Sequence, residues 1–380
     1  MRNVAVIFGG KSCENEISIL TGVFVLNVLD KEKYTIFPVY VHTDGGLYTS
    51  PKMNDLKIFR EKRYSQFERI FLDGGTVYAF NAAKRRIKPL IKLDAAINCC
   101  HGGLGEGGGV SAMMEWNEVP LASPDLTPSG IFLDKCLTKI VAQGLGVPTL
   151  EYVRVNEEDY RKRGKFLLKR IGTKLKYPVI VKPAHLGSSI GISVARTEEE
   201  VKKRMEEGFA LDNRLLIEKY LEDKTDVNCA AYELDGEICV SEVECAFGKG
   251  VYSFEEKYLS NAPERATGKM QRLENANVGG RFALKEELRG KIRAYTKTVY
   301  KRMNLKGVVR MDYLISGGKV YLSEVNTVPG SLAYYLFCER LTDARAFFGD
   351  LIEEGIKKTK KEEKKLLTTG ILKGTPHVRK

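Results

Sequence analysis

Residues 307–326 read GVVRMDYLISGGKVYLSEVN, which predicts a β-hairpin of two apolar strands joined by a Ser-Gly-Gly turn. Because side chains alternate between the faces of a strand, Arg310 and Asp312 share one face, as do Glu324 and Asn326 on the next strand. A three-residue turn, or a bulge that corrects the count, would place Asp312 opposite Glu324. The hairpin therefore predicts two carboxylates and an amide that converge on one side of a sheet.

These side chains carry oxygen donors, which are the ligands that Mg²⁺ prefers. We predict that Asp312, Glu324 and Asn326 hold Mg²⁺ together with phosphate and water. The same pattern also fits a solvated polar face on a hairpin with a single Arg–Asp ion pair. The residues alone leave both interpretations open.

The N-terminus predicts a strand, a glycine turn and a helix. Residues 4–8 form the apolar run VAVIF, followed by Gly-Gly-Lys-Ser and a helical pattern with Ser12 as its predicted N-cap. The runs YTIFPVYV and LDAAINCC repeat the buried-strand pattern, so residues 1 to about 125 predict an α/β layer with parallel strands. Residues 50–75 show no clear period and are expected to be loop or short helix.

A second unit, of α+β type, is predicted from about residue 129. A helix from about residue 134 to 143 precedes the strands KYPVIVKPA and GISVAR. A helix over 197–208 then precedes antiparallel strands with a turn at Asp235-Gly236. The unit ends with the polar hairpin.

Residues 182–191, KPAHLGSSIG, lie between two of these strands and are a candidate phosphate cradle. Glycines let backbone N–H groups approach a phosphate, while two hydroxyls and Lys182 add donors. Glycine-serine loops are also common as plain turns. The glycine-rich loop of residues 101–109, HGGLGEGGG, is open to the same two interpretations.

Two further segments are candidates for nucleotide contacts. Glu218-Lys219-Tyr220-Leu221 follows an apolar run, and such a strand edge can offer hydrogen bonds to an adenine, although it is also typical of an ordinary strand end. Lys257-Tyr258 lies in the polar stretch 247–270, which is typical of a functional lid or of disorder.

The composition excludes several classes of protein. A chain of 380 residues with 43% hydrophobic and 29% charged residues is typical of a folded protein with two or three domains. No apolar run approaches the roughly 18 residues of a membrane span, so we expect a cytoplasmic protein without a membrane partner. The net charge is +12, but residues 355–380 hold nine Lys and Arg against two Glu, so we expect no nucleic-acid partner. Eight cysteines without a Cys-x-x-Cys pair predict free, mostly buried thiols.

Eight motifs, in this order along the chain, resemble those of the D-alanine–D-alanine ligases of the ATP-grasp superfamily: FGGKSCENEIS, HGGLGEGG, LDKCLTK, YPVIVKPAHLGSSIGI, LIEKYLE, EEKYLS, RMDYLI and EVNTVPGS. The resemblance extends to about residue 350 and implies an α/β, three-domain ATP-grasp fold. It implies an N-terminal Rossmann-like domain (1–128), a central ATP-grasp subdomain (129–215), a C-terminal subdomain with the Mg²⁺ and substrate site (216–354) and a basic tail (355–380).

The resemblance also assigns contacts with ATP and metal. The residues that would bind ATP are Lys135 and Lys182 at the phosphates, Ser189 in the loop above them, Glu218, Lys219 and Leu221 at the adenine, Asp226 as the nearest match for a ribose contact, and Lys257 at the γ-phosphate. Asp312, Glu324 and Asn326 would hold two Mg²⁺ ions, with Mn²⁺ as a substitute.

The amino-acid substrates are assigned in the same way. Glu14 would anchor the ammonium of the first D-alanine, and Ser188 with Tyr258 would orient the loops over the substrates. Arg310 and the N–H of Gly330 would stabilise the tetrahedral intermediate. His101 and Tyr335 are further substrate-site candidates.

The activity implied by the resemblance is the joining of two D-alanines, through an acyl phosphate, into D-alanyl-D-alanine. This product is a precursor of peptidoglycan, and so of the cell wall and cell shape. The family resemblance also suggests a homodimer. The retained Lys257-Tyr258 pair resembles the enzymes that use D-alanine as acceptor more than those that use D-lactate.

The chain departs from the family pattern on the acceptor side. Gly107 stands where the family has an aspartate, and Leu186 where a charged residue is common. Tyr335 lies near the position of a serine that helps to bind the second substrate. These changes leave the acceptor open between D-alanine, D-serine, D-lactate and another amino acid. Another ATP-grasp carboxylate–amine ligase and a nucleotide-binding regulatory protein without catalysis are the alternatives from other classes.

Overall fold

The computed structural model describes residues 1–81, 85–245 and 284–362, and the strands in these ranges form three sheets. The strands of the first sheet are β1 (Arg2–Gly9), β2 (Tyr34–Val41), β3 (Leu47–Thr49), β4 (Glu68–Asp73), β5 (Thr76–Asn81), β6 (Arg86–Lys92) and β7 (Ala95–Asn98). Their order in the sheet is β6-β5-β4-β3-β2-β1-β7. Helices α1 (Asn15–Val28), α2 (Leu56–Arg60) and α3 (Val110–Trp116) belong to the same part of the chain.

The first sheet is only partly parallel. Strand β1 pairs in parallel with β2 and β7, as predicted, and its central residues are fully buried. The pairs from β2 to β6 are antiparallel, and β4 lies within the segment that we expected to be loop or short helix. The three strands predicted from the sequence, β1, β2 and β7, are therefore parallel as expected, and the antiparallel strands β3 to β6 were not predicted. Gly74 and Gly75 have φ values of 53° and 75°, and the tight turn they form between β4 and β5 requires antiparallel strands.

The second sheet is antiparallel, with the order β10-β9-β11-β8. Its strands are β8 (Tyr152–Asn156), β9 (Val179–Pro183), β10 (Ser193–Ala195) and β11 (Arg214–Lys219). Helices α6 (Glu157–Leu175) and α7 (Glu198–Phe209) cover one face, where Ile171, Val201 and Met205 are fully buried. The prediction of two strands on either side of the serine-bearing loop is confirmed.

The third sheet has the order β13-β12-β15-β16, and β14 also pairs with β12. Its strands are β12 (Thr225–Leu234), β13 (Glu237–Val240), β14 (Glu244–Cys245), β15 (Val309–Ser316) and β16 (Lys319–Asn326). Helix α8 (Glu286–Arg302) packs on it, and α4 (Leu126–Leu133) and α5 (Lys135–Gly144) contact β16. The predicted turn at Asp235-Gly236 joins β12 to β13.

The C-terminal part of the described chain returns to the first sheet. A 3₁₀ segment (Gly330–Leu336) and helix α9 (Leu341–Glu362) share one hydrophobic core with α1, and Phe24 contacts Phe348 edge to face. This packing brings the residues after β16 beside the N-terminal helix.

The three sheets lie within residues 2–98, 152–219 and 225–326, and the proposed boundary at 215/216 falls inside β11.

Six of the eight cysteines are buried and all eight are free thiols, in agreement with the prediction. Among the helices in the described ranges, none has the length and apolar content needed to cross a membrane.

Candidate active site

The polar hairpin has the predicted register. Asp312 pairs with Glu324, and Arg310 pairs with Asn326. A bulge between Asp312 and Tyr313 accommodates one extra residue, and this shift in register allows the two pairs to form after the two-glycine turn. Both carboxylates and the amide therefore occupy one face of the third sheet.

Asp312 accepts hydrogen bonds from three neighbouring side chains. Arg310 binds it with both arms of the guanidinium, at 2.8 Å from Nε and 3.0 Å from Nη2. The Asn326 amide donates to Asp312 Oδ2 at 3.1 Å, and the Asn228 amide, in the orientation that satisfies its neighbours, donates to Oδ1 at 3.1 Å. The carboxylate is thus held in place on the face that it shares with Glu324.

The donor set of this face suits Mg²⁺. Two carboxylates and an amide supply hard oxygen atoms, and Mg²⁺ in nucleotide sites commonly binds one or two carboxylates while phosphate and water complete its shell. Within the described ranges, no three His, Cys, Asp or Glu side chains form a ready cage for a metal. Residues 312, 324 and 326 could therefore supply part of the coordination shell of such an ion.

Two buried lysines share one buried carboxylate. Glu218, at the end of β11, has 0% exposure, and its oxygens lie 2.5 Å from Lys182 Nζ and 2.7 Å from Lys139 Nζ. Burial acts to raise the pKa of Glu218, but the two ammonium groups outweigh it and lower that pKa to about 2. Burial acts to lower the pKa of Lys182, yet Glu218 raises it above its ordinary value, so both partners stay charged.

Lys135 connects the serine-bearing loop with the polar hairpin. We call residues 184–191, between β9 and β10, the serine loop. The backbone N–H of Lys135 donates to Ala184 O at 2.9 Å, and its Nζ donates to Leu186 O at 2.5 Å. The same Nζ lies 3.8 Å from Glu324 Oε2. One cation therefore touches the candidate phosphate cradle and the candidate metal face.

The serine loop closes over the N-terminus of α1. Ser188 and Ser189 have φ values of 52° and 60°, a left-handed pair that turns the loop back on itself. Ser188 Oγ donates to the Glu14 carboxylate. A Cβ at Gly187 would lie 2.4 Å from Glu14 Oε2, so only glycine permits this approach.

The entry to α1 differs from the prediction. The helix begins at Asn15 with Glu14 in the N-cap position, and Ser12 is therefore not the N-cap. Ser12 Oγ instead accepts the N–H of Glu14 at 3.0 Å and donates to His101 O at 2.6 Å. The glycine turn runs two residues further than the sequence pattern indicated, and its serine ties two loops together.

His101 is buried at the junction of three segments. Its Nδ1 lies 2.6 Å from Val328 O, and since a carbonyl only accepts, this nitrogen carries the proton. Nε2 then accepts from Thr21 Oγ1 at 2.8 Å, and Thr21 Oγ1 accepts the N–H of Ser331 at 3.1 Å. Burial lowers the pKa of His101 to about 4, so the ring is neutral near pH 7.

Glu106, in the glycine-rich loop, is also drawn into the site. Its carboxylate accepts the N–H of Gly102 at 2.8 Å and the N–H of Val328 at 3.2 Å. Burial, followed by the charge of Glu14, raises its pKa to about 7. The loop that lacks the family's aspartate thus still supplies one carboxyl group to the segment after β16.

The 3₁₀ segment packs beside the polar hairpin. Tyr335 accepts a hydrogen bond from Arg310 Nη1 at 3.3 Å. Residues 331–333 have φ values between 48° and 51°, three successive left-handed residues that follow Gly330. Within this segment, Tyr335 lies on the side of the sheet where Arg310 lies.

The remaining sequence candidates are placed as follows. Asp226 lies on β12 and pairs with Lys224, Lys219 is exposed, and Leu221 is half-buried. Lys257 and Tyr258 lie outside the described residues.

Sequence reasoning missed Lys139, although its spacing of four residues from Lys135 puts both on one face of a helix. It also missed Thr21, whose role depends on contacts made only in the folded chain.

Three features define a protein of the ATP-grasp class. They are a pair of lysines next to the glycine-serine loop, an acidic hairpin on the other side of these lysines, and a further α/β layer that packs beside both. Solved structures with this fold match nearly the whole chain. A D-alanine–D-alanine ligase from Helicobacter pylori superposes with a TM-score of 0.73 at 25% identity and covers 94% of this chain and 98% of its own. The ligase from Bacillus anthracis complexed with ATP gives a TM-score of 0.64 at 21% identity, covering 96% and 100%, and shows the fold alone.

Sequence comparison gives the family. The model of the D-ala D-ala ligase N-terminus matches residues 3–124, and that of the C-terminus matches residues 141–357. A D-alanine–D-alanine ligase of Thermosipho melanesiensis is 30% identical over 384 residues, which cover 98% of this chain and 99% of the relative. The chain belongs to the D-alanine–D-alanine ligase family.

Proposed function

We propose that this chain is an ATP-dependent ligase that joins two D-alanines into D-alanyl-D-alanine. The observation that carries the proposal is the position of Lys135, which binds the serine loop and also approaches Glu324. A nucleotide triphosphate that touches the loop is then within reach of the acidic face. Family membership and a relative of the same fold complexed with ATP support this assignment.

The phosphates lie, in this proposal, between the lysines and the serine loop. Lys135, Lys182 and Ser189 bind them, and Lys257 reaches the γ-phosphate. Glu218, Lys219 and Leu221 contact the adenine and Asp226 the ribose, and the Glu218 side chain also keeps Lys182 charged and in place. Asp312, Glu324 and Asn326 hold Mg²⁺, which neutralises charge on the transferred phosphoryl group when it is bound.

In the first step the carboxylate of the first D-alanine attacks the γ-phosphorus of ATP. A C–O–P linkage forms, the bond between the γ-phosphorus and the bridging oxygen breaks, and ADP leaves. Glu14 binds the ammonium of this D-alanine, and the hydrogen bond from Ser188 fixes the Glu14 carboxylate. Ser188 with Tyr258 orients the loop over the substrates, and the covered site excludes water, which would otherwise hydrolyse the acyl phosphate.

In the second step the amine of the second D-alanine attacks the acyl carbon. The free amine loses a proton as the C–N bond forms, the bond between the acyl carbon and the phosphate oxygen breaks, and inorganic phosphate leaves with that proton. Arg310 and the N–H of Gly330 stabilise the developing oxyanion, and His101 positions the segment that carries Gly330 through Val328. One well-aimed donor of this kind is worth about 3–4 kcal/mol.

Tyr335 sets the acceptor side. Its phenol ring occupies the place where the family pattern has a small hydroxyl residue, and its oxygen contacts Arg310. D-alanine is the acceptor in our proposal. Products that contain D-serine or D-lactate would change the proposed acceptor and leave the rest of the proposed function unchanged. The role implied for the product is in peptidoglycan synthesis, and we further propose a cytoplasmic homodimer.

Mass spectrometry of the products formed from ATP, Mg²⁺ and a mixture of D-amino acids tests the proposal. The expected result is D-alanyl-D-alanine, with one phosphate released per dipeptide. If D-alanine fails to stimulate phosphate release while another carboxylate does so, the chain is a different ATP-grasp ligase. Binding of ATP without turnover on any amino acid would favour a regulatory protein.

A further inference from the structure

His185 lies in the serine loop between two carboxylates, and each ring nitrogen faces one of them. Nδ1 lies 2.9 Å from Asp212 Oδ1, and Nε2 lies 3.4 Å from Asp134 Oδ2. Only the doubly protonated imidazolium donates from both nitrogens. The Asp134 and Asp212 side chains are nearly buried, at 3% and 5% exposure, whereas the His185 side chain is 34% exposed.

The two carboxylates belong to the elements that frame the loop. Asp134 is the N-cap of α5, and its Oδ1 accepts the N–H of Cys136 at 2.7 Å. Asp212 precedes β11, and its Oδ2 accepts the N–H of His185 at 2.7 Å. Arg214 also contacts Asp134, so two cations and two anions form one closed cluster at the base of the loop.

This cluster surrounds the point where Lys135 binds the loop. The residues on either side of His185, Ala184 and Leu186, accept the backbone N–H and the side-chain ammonium of Lys135. A shift of the His185 backbone would therefore move both acceptors. The side chain that resists this shift is His185 itself, because it spans Asp134 on one side and Asp212 on the other.

We propose that His185 is a positioning residue whose imidazolium fixes the serine loop against Lys135 and thereby presets the loop for the phosphates of ATP. The inference rests on the proposed function, because it assumes that the serine loop binds ATP. His185 contacts no substrate and acts through Asp134, Asp212 and the backbone of the loop. The charged groups that face the cluster are Asp134 from α5 and Asp212 and Arg214 at the start of β11.

The cationic form gives the proposal a pH signature. Hydrogen bonds to Asp134 and Asp212 raise the pKa of His185 to about 9, above its ordinary value of 6.5. The interaction is therefore complete below pH 6.5 and is lost as the pH rises through about 9. A role in packing alone would not depend on pH in this range.

The test compares wild type with His185→Gln in the full-length protein. KM for ATP, kcat, and the Kd for ATP by calorimetry are measured with Mg²⁺ between pH 7 and 10. At pH 7 the variant should raise KM for ATP roughly 10- to 100-fold, with a smaller change in kcat at saturating ATP, since a misplaced loop costs binding first. The ratio of the variant's KM to the wild-type KM should fall towards one above pH 9.

Three further variants make the result interpretable. His42→Gln, which removes an imidazole beside Asp44 on the first sheet, is the matched control and should leave KM for ATP unchanged. Asp212→Asn replaces His185→Gln if the latter fails to fold, and should show the same convergence. Lys182→Ala reports on the proposed function, because wild-type ATP affinity in that variant would refute the nucleotide site.

If Lys182→Ala binds ATP more weakly than wild type while His185→Gln keeps the wild-type KM for ATP, the inference about His185 is overturned and the proposed function stays intact. A KM ratio for His185→Gln that stays constant from pH 7 to pH 10 would also overturn it, since that result assigns the effect to packing.

Discussion

Glu218 Oε2 lies 2.5 Å from Lys182 Nζ in a site where the Glu218 side chain has no solvent exposure. The second Glu218 oxygen is held at 2.7 Å by Lys139, which is itself buried and also donates to Leu322 O at 2.9 Å. Lys182, the lysine that we propose to bind phosphate, is thus held in place by a buried carboxylate that it shares with a second buried cation. Lys182 needs little reorganisation when an anion arrives.

Replacement of this carboxylate should be costly. Glu218→Gln leaves two buried ammonium groups without their shared anion, and loss of one partner from a buried charge cluster typically costs about 3–5 kcal/mol. We expect the free energy of unfolding in urea to fall by about that amount. We also expect KM for ATP to rise, because Lys182 is no longer oriented. Glu237→Gln, at the exposed first position of β13, is the control and should change neither quantity.

The same cluster predicts an acid limit to stability. The pKa of Glu218 is about 2 in the folded chain and 4.5 ordinarily, so its contribution is complete above pH 4.5 and is lost as the pH falls towards 2. Urea titrations of wild type and Glu218→Gln across this range should therefore converge at low pH. Parallel pH curves for the two proteins would contradict the ion cluster.

Glu324→Ala should abolish turnover and leave the fold intact. The side chain is 32% exposed on the cleft side of β16, so its removal creates no core cavity but deletes one of the two carboxylates proposed for Mg²⁺. Phosphate release should fall below detection, while the melting temperature stays within a few degrees of wild type. Normal activity in this variant would refute the metal assignment. Glu237→Ala serves as the surface control.

The sequence predicted the parts of the site whose geometry is local. Alternation along two strands placed Asp312 and Glu324 on one face, and the structure confirms their opposition through a bulge that the residue count allowed. A helix over residues 134–143 and the loop after Lys182 were also predicted, because the spacing of apolar residues and the position of glycines are local signals. Lys139 was within reach of the same reasoning, because four residues separate it from Lys135.

The parts that could not be predicted depend on contacts between distant segments. His101 binds Val328 across 227 residues, and Ser188 binds Glu14 across 174. No periodicity in a single segment reports such pairs. The first forms when the chain after β16 packs back towards α1, and the second forms when the serine loop closes over the N-terminus of α1. The N-cap error at Ser12 also involves a distant segment, because Ser12 lies in the loop before α1, where its hydroxyl donates to His101 O and accepts the N–H of Glu14, and the helix begins only at Asn15.

The Tyr335 hydroxyl and ring are expected to have separate roles. Tyr335→Phe removes only the hydrogen bond with Arg310 and should lower kcat about tenfold, which is typical for a hydrogen bond to a charged group. Tyr335→Ser also removes the ring, and should widen the range of acceptors. Competition between D-alanine and bulkier D-amino acids, read by mass spectrometry, measures this range. Wild-type kcat in the Phe variant would show that the hydroxyl does not orient Arg310.

His101 should make the protein less stable as the pH falls. Its pKa is about 4 when folded and 6.5 ordinarily, so the unfolded chain binds a proton that the folded chain does not between these values. Stability should therefore fall by up to about 1.4 kcal/mol per pH unit as the pH is lowered from 6.5 to 4. Glu106, with its pKa raised to about 7, contributes the opposite slope between pH 4.5 and 7.

The difference between wild type and His101→Gln isolates the histidine, because both proteins contain Glu106. Urea unfolding at half-unit intervals from pH 4 to 7 gives the two curves, and wild type should show the steeper loss of stability towards acid. Gln can still donate to Val328 O, so the variant is expected to fold. A His101→Gln curve parallel to wild type would mean that His101 is accessible to protons, and the proposed link from Thr21 through His101 to Val328 would then be wrong.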